Sequence, residues 1–290
     1  MRDALVFGGT GQIGRPVVER LRAAGWRVTA VSRRDQPDAD GLRWAVGDFD
    51  AMPTLSAAFD AIISCGPLDR FGRWYAQANV TTQRVIAFGS TSIDTKQVSA
   101  DASERDLVRR LGEGERSVFE TARSQGAAAT LLRPTLVYGS GRDASLTRIA
   151  QLAHRWHRFP LPRDAIGLRQ PVHVDDLADA AVCCLDRAAS FGRAYALPGG
   201  ETLPYREMVE RVLTTLQPPA RLIELSPALF KLVLRVAQVT GRARGLGGAA
   251  VARMQDDLVF DAMPARDDFG YAPRRFQPAA AMFETATTGA

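Results

Sequence analysis

The stretch GGTGQIG, residues 8–14, decides the fold of this chain. The apolar run Ala4–Phe7 precedes it and predicts a buried parallel strand, while Val17 and Leu21 follow it at helical spacing. Pro16 lies in the first helical turn, where its missing N–H costs little. A strand, a tight glycine turn and a helix bring backbone N–H groups and the positive end of a helix dipole to one point, which suits a diphosphate. We therefore expect a dinucleotide at this turn.

The glycine spacing fits two dinucleotide-binding patterns. Gly9, Gly11 and Gly14 match the general fingerprint, whereas Gly8, Gly11 and Gly14 match the wider spacing found in short-chain dehydrogenases. The alternative is a glycine-rich turn that holds no ligand. The position of the turn between a strand and a helix favours the binding site. The cofactor-binding residues predicted in this stretch are Gly8, Thr10, Gly11, Gln12, Ile13 and Gly14.

Composition bounds the size and class of the protein. The 290 residues are 46% hydrophobic, enough for one α/β domain with a smaller second region or for two domains. The net charge of +5 is modest, and the basic residues are scattered along the chain, so we expect no nucleic-acid partner. A mild attraction for phosphorylated ligands explains the same balance of charge.

The cysteines and the apolar runs indicate the cellular compartment. Cys65, Cys183 and Cys184 are odd in number and lack metal-ligand spacing, so we expect a reducing cytoplasm and no metal. The sequence begins directly with a strand, from which we expect no signal peptide. No stretch approaches eighteen uninterrupted apolar residues, so we expect no membrane association.

The end of the second predicted strand indicates which nicotinamide cofactor is preferred. This strand runs over residues 26–31 and leads into Ser32, Arg33 and Arg34. An acidic residue at this position accepts the ribose hydroxyls of NAD, whereas an arginine accommodates the 2′-phosphate of NADP. We therefore predict that these three residues bind the cofactor and favour NADP over NAD. The alternative is that both arginines are solvated turn residues.

Three further predicted strands each end in polar or glycine residues. They are Leu42–Val46, residues 60–64 and residues 85–88, and helices or short crossovers separate them. This alternation predicts an α/β fold, a doubly wound parallel sheet with helices on both faces, that binds ligands at the carboxyl ends of its strands. The strand endings should therefore line one crevice.

Three later segments complete a family resemblance. Residues 132–139 read LRPTLVYG, residues 171–178 read PVHVDDLA, and residues 260–273 form a similar C-terminal ending. With the glycine turn, they resemble the extended short-chain dehydrogenase/reductase group, the NAD(P)-dependent epimerase/dehydratase-like proteins. The resemblance implies that residues 48–49 lie near the adenine and that residues 134–137 lie near the nicotinamide. It adds as cofactor-binding residues Asp48, Phe49, Cys65, Gly66, Pro67, Arg133, Pro134 and Thr135.

The chain departs from this family where the reaction takes place. In the family, a tyrosine and a lysine four residues apart lie on the helix after the fifth strand and handle the proton. Here that helix, predicted over residues 104–123, contains neither residue, and alignment puts Leu107 and Leu111 at the two positions. A well-placed proton donor contributes about 10²–10⁴ in rate. The catalytic candidates that remain are the hydroxyls after the fifth strand, which can polarise a carbonyl: Ser90, Thr91 and Ser92.

Other side chains could replace the missing pair, but each has a simpler structural explanation. Tyr75 and Tyr138 are the two tyrosines nearest the crevice, and we expect both to pack within the fold. Glu113 and Glu115 fit the solvated face of a helix. His173 fits a structural histidine bonded to the backbone. The proton donor is therefore left unassigned.

A second region is predicted to cover the crevice. We assign 1–141 plus 168–200 to the dinucleotide-binding domain, and 142–167 plus 201–290 to a substrate-binding region. Residues 142–167 are predicted to be a helix and a loop. A docked helix is predicted at Pro227–Val239, and a mobile loop at residues 241–248. Six arginines form either a basic rim that suits a diphosphate or a solvated face, namely Arg142, Arg148, Arg155, Arg158, Arg163 and Arg169.

Two functions are consistent with these patterns. The first is an atypical NADP(H)-dependent oxidoreductase or epimerase-like enzyme acting on a small carbonyl or nucleotide-sugar substrate. The second is a non-catalytic dinucleotide-binding protein that senses the cofactor or acts as an assembly subunit. The retained cofactor motifs fit both, whereas the missing tyrosine and lysine favour the second. We expect a monomer or a homodimer.

Overall fold

A computed structural model of the chain describes residues 1–239 and 253–283. In chain order the strands are β1 (Asp3–Phe7), β2 (Arg27–Ser32), β3 (Leu42–Val46), β4 (Ala58–Ser64), β5 (Thr81–Phe88), β6 (Ala128–Pro134), β7 (Val137–Tyr138), β8 (Arg158–Pro162), β9 (Leu168–Arg169), β10 (Val172–His173), β11 (Arg193–Leu197), β12 (Leu203–Pro204) and β13 (Arg221–Leu225). The helices are α1 (Gly14–Ala23), α2 (Leu68–Gln77), α3 (Ser92–Thr95), α4 (Ala102–Ser124), α5 (Leu146–Trp156), α6 (Val174–Cys184), α7 (Tyr205–Thr215), α8 (Pro227–Val239) and α9 (Met263–Phe269).

Seven parallel strands form the central sheet in the order β11-β6-β5-β4-β1-β2-β3. The chain moves outward from β1 to β3 and then returns to place β4 on the other side of β1. This reversal creates a switch point between β1 and β4, where ligands bind in open α/β sheets. The predicted doubly wound α/β fold is confirmed.

The two faces of the sheet are both covered by helices. Ala4 and Val6 of β1 belong to the core shared with α1, α6 and α9, whereas Leu5 and Phe7 belong to the core shared with α2 and α4. Successive side chains of a strand point to opposite faces, so a strand covered on both sides is apolar at every position. This burial explains why β1 is an uninterrupted apolar run.

β5 is longer than its predicted extent, residues 85–88, because a charged side chain lies in the core. Arg84 is buried, and its guanidinium donates to the carbonyls of Cys184 at 2.7 Å and Leu185 at 3.0 Å, at the end of α6. It also donates to the carbonyl of Ala128 at 2.6 Å. The carbonyls at a helix C-terminus carry partial negative charge and can therefore hold a buried cation.

The second region has its own core, in which α5 packs against α7. Residues 142–167, predicted as a helix and a loop, also contain β8, which pairs in parallel with β13. The sequence of β8, RFPLP, contains two prolines, which normally keep a segment out of a sheet interior. In a two-stranded sheet the prolines need not donate to a second neighbour, so the strand forms.

α8 is docked by only part of its surface. Phe230 is buried near β8 and β13, whereas Leu229, Leu232 and Val233 are exposed. The predicted loop at residues 241–248 lies outside the described residues. Across residues 1–239 and 253–283, no helix is long and apolar enough to cross a membrane.

Candidate functional site

The glycine turn after β1 is closed by direct contact between its glycines. Gly8 has φ +72°, a conformation that residues with a Cβ rarely adopt, and its carbonyl accepts the N–H of Gly11 at 2.8 Å. A Cβ on Gly14 would lie 2.0 Å from that carbonyl oxygen, and a Cβ on Gly11 would lie 3.0 Å from it. The geometry therefore requires glycine at positions 8, 11 and 14, the wider of the two spacings.

The turn fits a diphosphate at the start of α1. Ile13 precedes the helix without a side-chain cap, and the first turn of this described helix contains no acidic residue. The side-chain oxygen of Gln12 is buried and has no hydrogen-bond partner among the described residues. Uncapped N–H groups, an uncompensated helix dipole and an unpaired polar atom together fit a bound dinucleotide.

Three other predicted cofactor residues contact the turn or one another. A Cβ on Gly8 would lie 3.0 Å from the carbonyl of Cys65, so the ends of β1 and β4 touch at this point. The ring of Phe49 lies against Gly66 and stacks on Phe7, with ring centroids 5.0 Å apart. The switch point thus brings together Gly8, Phe49, Cys65 and Gly66, and Pro67 follows directly at the start of α2.

Asp48 shapes the loop after β3. Its carboxylate accepts the N–H groups of Asp50 and Ala51, both at 2.9 Å. These bonds hold the pKa of Asp48 below its usual range, so the carboxylate stays charged. One of its oxygens organises the loop, and the other is available to a ligand.

The two arginines after β2 are exposed and held by a local turn. Ser32 is buried, and its hydroxyl accepts the N–H of Arg34 at 3.3 Å. Within the described part of the chain, neither Arg33 nor Arg34 has a carboxylate in ion-pair contact.

Sequence reasoning missed Trp44, whose ring lies against Gly9. Trp44 also lines a neighbouring groove of about 190 Å³ together with Thr10, Arg15 and Gln36.

The structure separates the three hydroxyls that follow β5. Thr91 is buried, and its hydroxyl donates to the carbonyl of Pro134 at 3.2 Å. Ser90 is partly exposed, and its hydroxyl accepts the N–H of Ser92 at 3.1 Å. A hydroxyl that only accepts keeps its proton for a ligand. Ser90 is therefore a better donor to a substrate oxygen than Thr91.

α4 carries no tyrosine or lysine, and its inner face is apolar at the two aligned positions. Leu111 is buried, and Leu107 packs against the same core. Glu115, predicted to be solvated, is buried, so that prediction was wrong. Its carboxylate makes two hydrogen bonds with the guanidinium of Arg133, at 2.7 and 2.5 Å, and this pairing raises the pKa of Arg133.

The predicted cofactor residues at the end of β6 have partners within the protein. Arg133 is bound to Glu115, the carbonyl of Pro134 accepts from Thr91, and the hydroxyl of Thr135 donates to the carbonyl of Gln170. These contacts fix the end of the strand at the crevice. Contact of these three residues with a cofactor stays a prediction.

The tyrosines nearest the crevice are packed, as predicted. Burial raises the pKa of both Tyr75 and Tyr138 to about 12. Tyr75 stacks on Phe71, and Tyr138 packs edge-on against His173.

Lys96 is paired with Glu104 at 3.3 Å, and Glu104 also accepts a hydrogen bond from Arg253 at 2.6 Å. The hydroxyl of Tyr75 is buried without a hydrogen-bond partner among the described residues, whereas the amino group of Lys96 is held by Glu104.

Of the arginines predicted to form the basic rim, one is buried and another contacts the glycine turn. Arg169 is buried and donates to the carbonyls of Leu168 and Asp256, both at 2.7 Å, so its inclusion in the rim was wrong. Arg142 is exposed, and its guanidinium donates to the carbonyl of Thr10 in the glycine turn. The remaining rim arginines are exposed or half-buried.

His173 is structural, as predicted: its Nδ1 accepts the N–H of Asp175 at 3.2 Å and caps α6. Among the described residues, no three histidine, cysteine or carboxylate side chains converge to hold a metal ion.

The comparisons with known proteins agree with this geometry. A model described as the NAD dependent epimerase/dehydratase family matches residues 4–91 and 113–197. The match includes the glycine turn and the strands up to β11, and it is interrupted between residues 91 and 113, which include Leu107 and Leu111.

Relatives and a solved structure extend over almost the whole chain. A 2-alkyl-3-oxoalkanoate reductase from Stenotrophomonas maltophilia is 27% identical, covering 93% of this chain and 94% of that protein. A UDP-glucose 4-epimerase from Vibrio cholerae is 24% identical, covering 94% of this chain and 91% of that protein. The crystal structure of a UDP-glucuronic acid 4-epimerase from Bacillus cereus in complex with NAD superimposes with a TM-score of 0.67 at 12% identity, covering 93% of each chain. This last likeness shows a shared fold.

Proposed function

The chain belongs to the NAD dependent epimerase/dehydratase family, and from that premise we propose that it is an NADP(H)-dependent oxidoreductase or epimerase-like enzyme. Its substrate would be a small carbonyl compound or a nucleotide sugar. The observation that carries the proposal is the closed turn of Gly8, Gly11 and Gly14 beside an uncapped helix and the unpaired oxygen of Gln12. These groups would hold the cofactor diphosphate.

The preference for NADP is supported by the end of β2. Ser32 stands where an acidic residue would accept the ribose hydroxyls of NAD, and the next two residues are arginines that form no ion pair with the described residues. An arginine that meets a 2′-phosphate gains a charge-assisted hydrogen bond without first breaking an ion pair. Arg33 and Arg34 would therefore bind the 2′-phosphate of NADP.

The reaction would depend on hydroxyl groups rather than on a tyrosine. The bound nicotinamide supplies or accepts a hydride. Ser90 and Ser92 would donate hydrogen bonds to the substrate oxygen and so favour the negative charge that develops on it. α4 offers no proton donor, so solvent would supply the proton that completes a carbonyl reduction. Thr91 would orient the turn through Pro134.

Binding and turnover test this proposal directly. Calorimetry should show NADPH bound more tightly than NADH. NADPH oxidation should then be measured with a 2-alkyl-3-oxoalkanoate, and conversion of UDP-glucose to its 4-epimer should be measured with the oxidised cofactor, since these are the compounds named for the two relatives. We expect Ser90→Ala to lower the turnover number by about 10-fold or more without changing NADPH affinity, since it removes one donor to the reacting oxygen. Thr91→Val should change the turnover less than Ser90→Ala. Absence of binding to either cofactor would overturn the proposal.

A non-catalytic dinucleotide-binding protein is the second candidate. Leu107 and Leu111 favour it, because apolar side chains at both positions remove the proton-handling groups of the family. This candidate predicts NADPH binding without hydride transfer to any substrate of the panel. The same two measurements therefore separate it from the enzyme.

A further inference from the structure

One arginine of the second region reaches across the crevice to the glycine turn. Arg142 Nη1 donates to the carbonyl of Thr10, a contact between residues that are far apart in the sequence. Thr10 lies between Gly9 and Gly11, so this guanidinium stands at the mouth of the turn. No other member of the predicted basic rim has a described contact with this turn.

The loop that carries Arg142 is fixed on both sides. Gly139, with φ +113°, lies against the ring of His173, and the N–H of Gly141 donates to the carbonyl of Met282 at 2.8 Å. Asp143 is buried and accepts the N–H groups of Ser145 and Thr147, both at 3.1 Å, at the start of α5. The backbone of Arg142 is therefore held between fixed neighbours, and its side chain alone extends to the turn.

Arg142 is an exposed cation in contact with the glycine turn. Among the described residues, no carboxylate forms an ion pair with its guanidinium, and its described partner is a neutral carbonyl. An arginine has further N–H donors beyond the one that Thr10 uses. Two buried side-chain oxygens have no hydrogen-bond partner among the described residues. One belongs to Gln12, close to Thr10 in the sequence, and the other belongs to Ser140, close to Arg142. A guanidinium without a described counter-charge and the unpaired oxygen of Gln12, beside the uncapped start of α1, indicate an anionic ligand.

We infer that Arg142 binds the diphosphate of the dinucleotide and ties the second region to it. The inference rests on the proposed dinucleotide site and assigns to that site a residue from the opposite wall of the crevice. Diphosphates also occur in nucleotide sugars, but the contact with Thr10 places the guanidinium on the cofactor side. Through Arg142, the bound cofactor would contact the loop that leads into α5.

The test compares the affinities of three ligands for the wild type and for Arg142→Gln. Removing one charge-assisted contact should weaken NADPH binding by about 10- to 100-fold. Adenosine 2′-monophosphate, which lacks a diphosphate, should bind both proteins within about twofold, as should UDP. Arg116→Gln is the matched control, because it removes an exposed arginine from α4, outside the predicted rim, and should leave all three affinities unchanged. Calorimetry or competition binding measures each affinity, and a thermal melt checks that the variants are folded.

Each outcome supports or overturns the inference. If the wild type binds neither NADPH nor NADH, the proposed function fails. If the wild type binds NADPH and Arg142→Gln binds it equally well, only the inference on Arg142 fails. Equal weakening of adenosine 2′-monophosphate would show that Arg142 merely supports the turn, and weakening of UDP alone would assign it to the substrate. Arg142→Lys, which keeps the charge but loses the planar fork, should bind NADPH with intermediate affinity.

Discussion

The glycine turn and α4 differ in how closely they keep to the family pattern. In the turn, Gly8, Gly11 and Gly14 touch one another so closely that a single added Cβ would not fit. In α4, Leu107 and Leu111 occupy the positions that the family resemblance assigns to a tyrosine and a lysine. The family model matches the first region and is interrupted between residues 91 and 113, over the first part of the second.

This difference separates cofactor binding from proton transfer. The contacts that define the turn are backbone contacts, so any larger residue would disturb the nucleotide site and the start of α1 together. The inner face of α4 packs on the sheet, so apolar residues there preserve the fold while they remove proton chemistry. The fold and the glycine turn therefore do not depend on a tyrosine and a lysine in α4.

The largest effect is expected from adding a methyl group to the turn. Gly14→Ala would place a Cβ 2.0 Å from the carbonyl oxygen of Gly8, so the turn must open, and NADPH binding should weaken by about 100-fold or more. Gly112→Ala in α4 is the matched control, because a Cβ there meets nothing within 4 Å. It should leave binding unchanged and raise the free energy of unfolding by about 0.5–1 kcal/mol.

Calorimetry and thermal melts measure both effects. If Gly14→Ala does not fold, Gly11→Ala is the second variant, since its Cβ would lie 3.0 Å from the same oxygen and demands a smaller shift. Full NADPH affinity in a folded Gly14→Ala protein would contradict the role given to the turn.

The second effect concerns the ion pair that α4 does contribute. Glu115 and Arg133 make two hydrogen bonds, and the carboxylate is buried while the guanidinium is partly exposed. Glu115→Gln should lower the free energy of unfolding by about 2–3 kcal/mol, because it leaves Arg133 without its main counter-charge. Glu113→Gln, on the exposed face of the same helix, should change it by no more than about 0.5 kcal/mol. Urea denaturation of the two variants gives both values, and equal losses would show that the buried pair has no special role.

The third effect concerns the preference for NADPH over NADH that we assign to the arginines after β2. Arg33→Gln should weaken NADPH binding by about 10-fold and leave NADH binding unchanged, because only NADPH carries the 2′-phosphate. Arg43→Gln is the control, since Arg43 is an exposed arginine of β3, away from the carboxyl ends of the strands. Calorimetry with both cofactors measures the ratio. Equal weakening of NADPH and NADH would indicate that Arg33 contacts a part that both cofactors share.

The sheet and the glycine turn could be predicted because local patterns determine them. The bounds of β3 agree residue by residue with the prediction, since a short apolar strand between turns is a local signal. The glycine turn was predicted from the glycine spacing together with the flanking strand and helix, and the structure shows which of the two spacings the contacts favour. Both features depend on residues that are neighbours in the sequence.

The errors arose where a charged residue is buried by a distant partner. Arg84 is held by the end of α6, Glu115 by Arg133 on β6, and Arg169 by carbonyls that include Asp256. A sequence does not show which carbonyl or carboxylate will meet a given side chain, so each charge was interpreted as solvated or as the end of a strand. The contact of Arg142 with Thr10 escaped prediction for the same reason.

The smallest expected effect concerns His173, and it tests whether this residue stabilises the fold or takes part in the reaction. Burial, with Arg274 nearby, lowers the pKa of His173 below its ordinary value, whereas Asp175 and Asp176 act in the opposite direction. The unfolded chain takes up a proton on this ring near pH 6.5, and the folded chain does so only at lower pH. The stability that the neutral ring contributes is therefore present above about pH 6.5 and is lost as the pH falls through the folded pKa.

His173→Asn should flatten this dependence, because asparagine does not titrate and its side-chain oxygen can still cap α6. The expected difference between wild type and variant is at most about 1 kcal/mol per pH unit, measured as the free energy of unfolding between pH 7.5 and 5.5. If His173 acted as a catalytic acid or base, His173→Asn would abolish turnover. If it only caps the helix, the folded variant keeps its NADPH affinity and turnover.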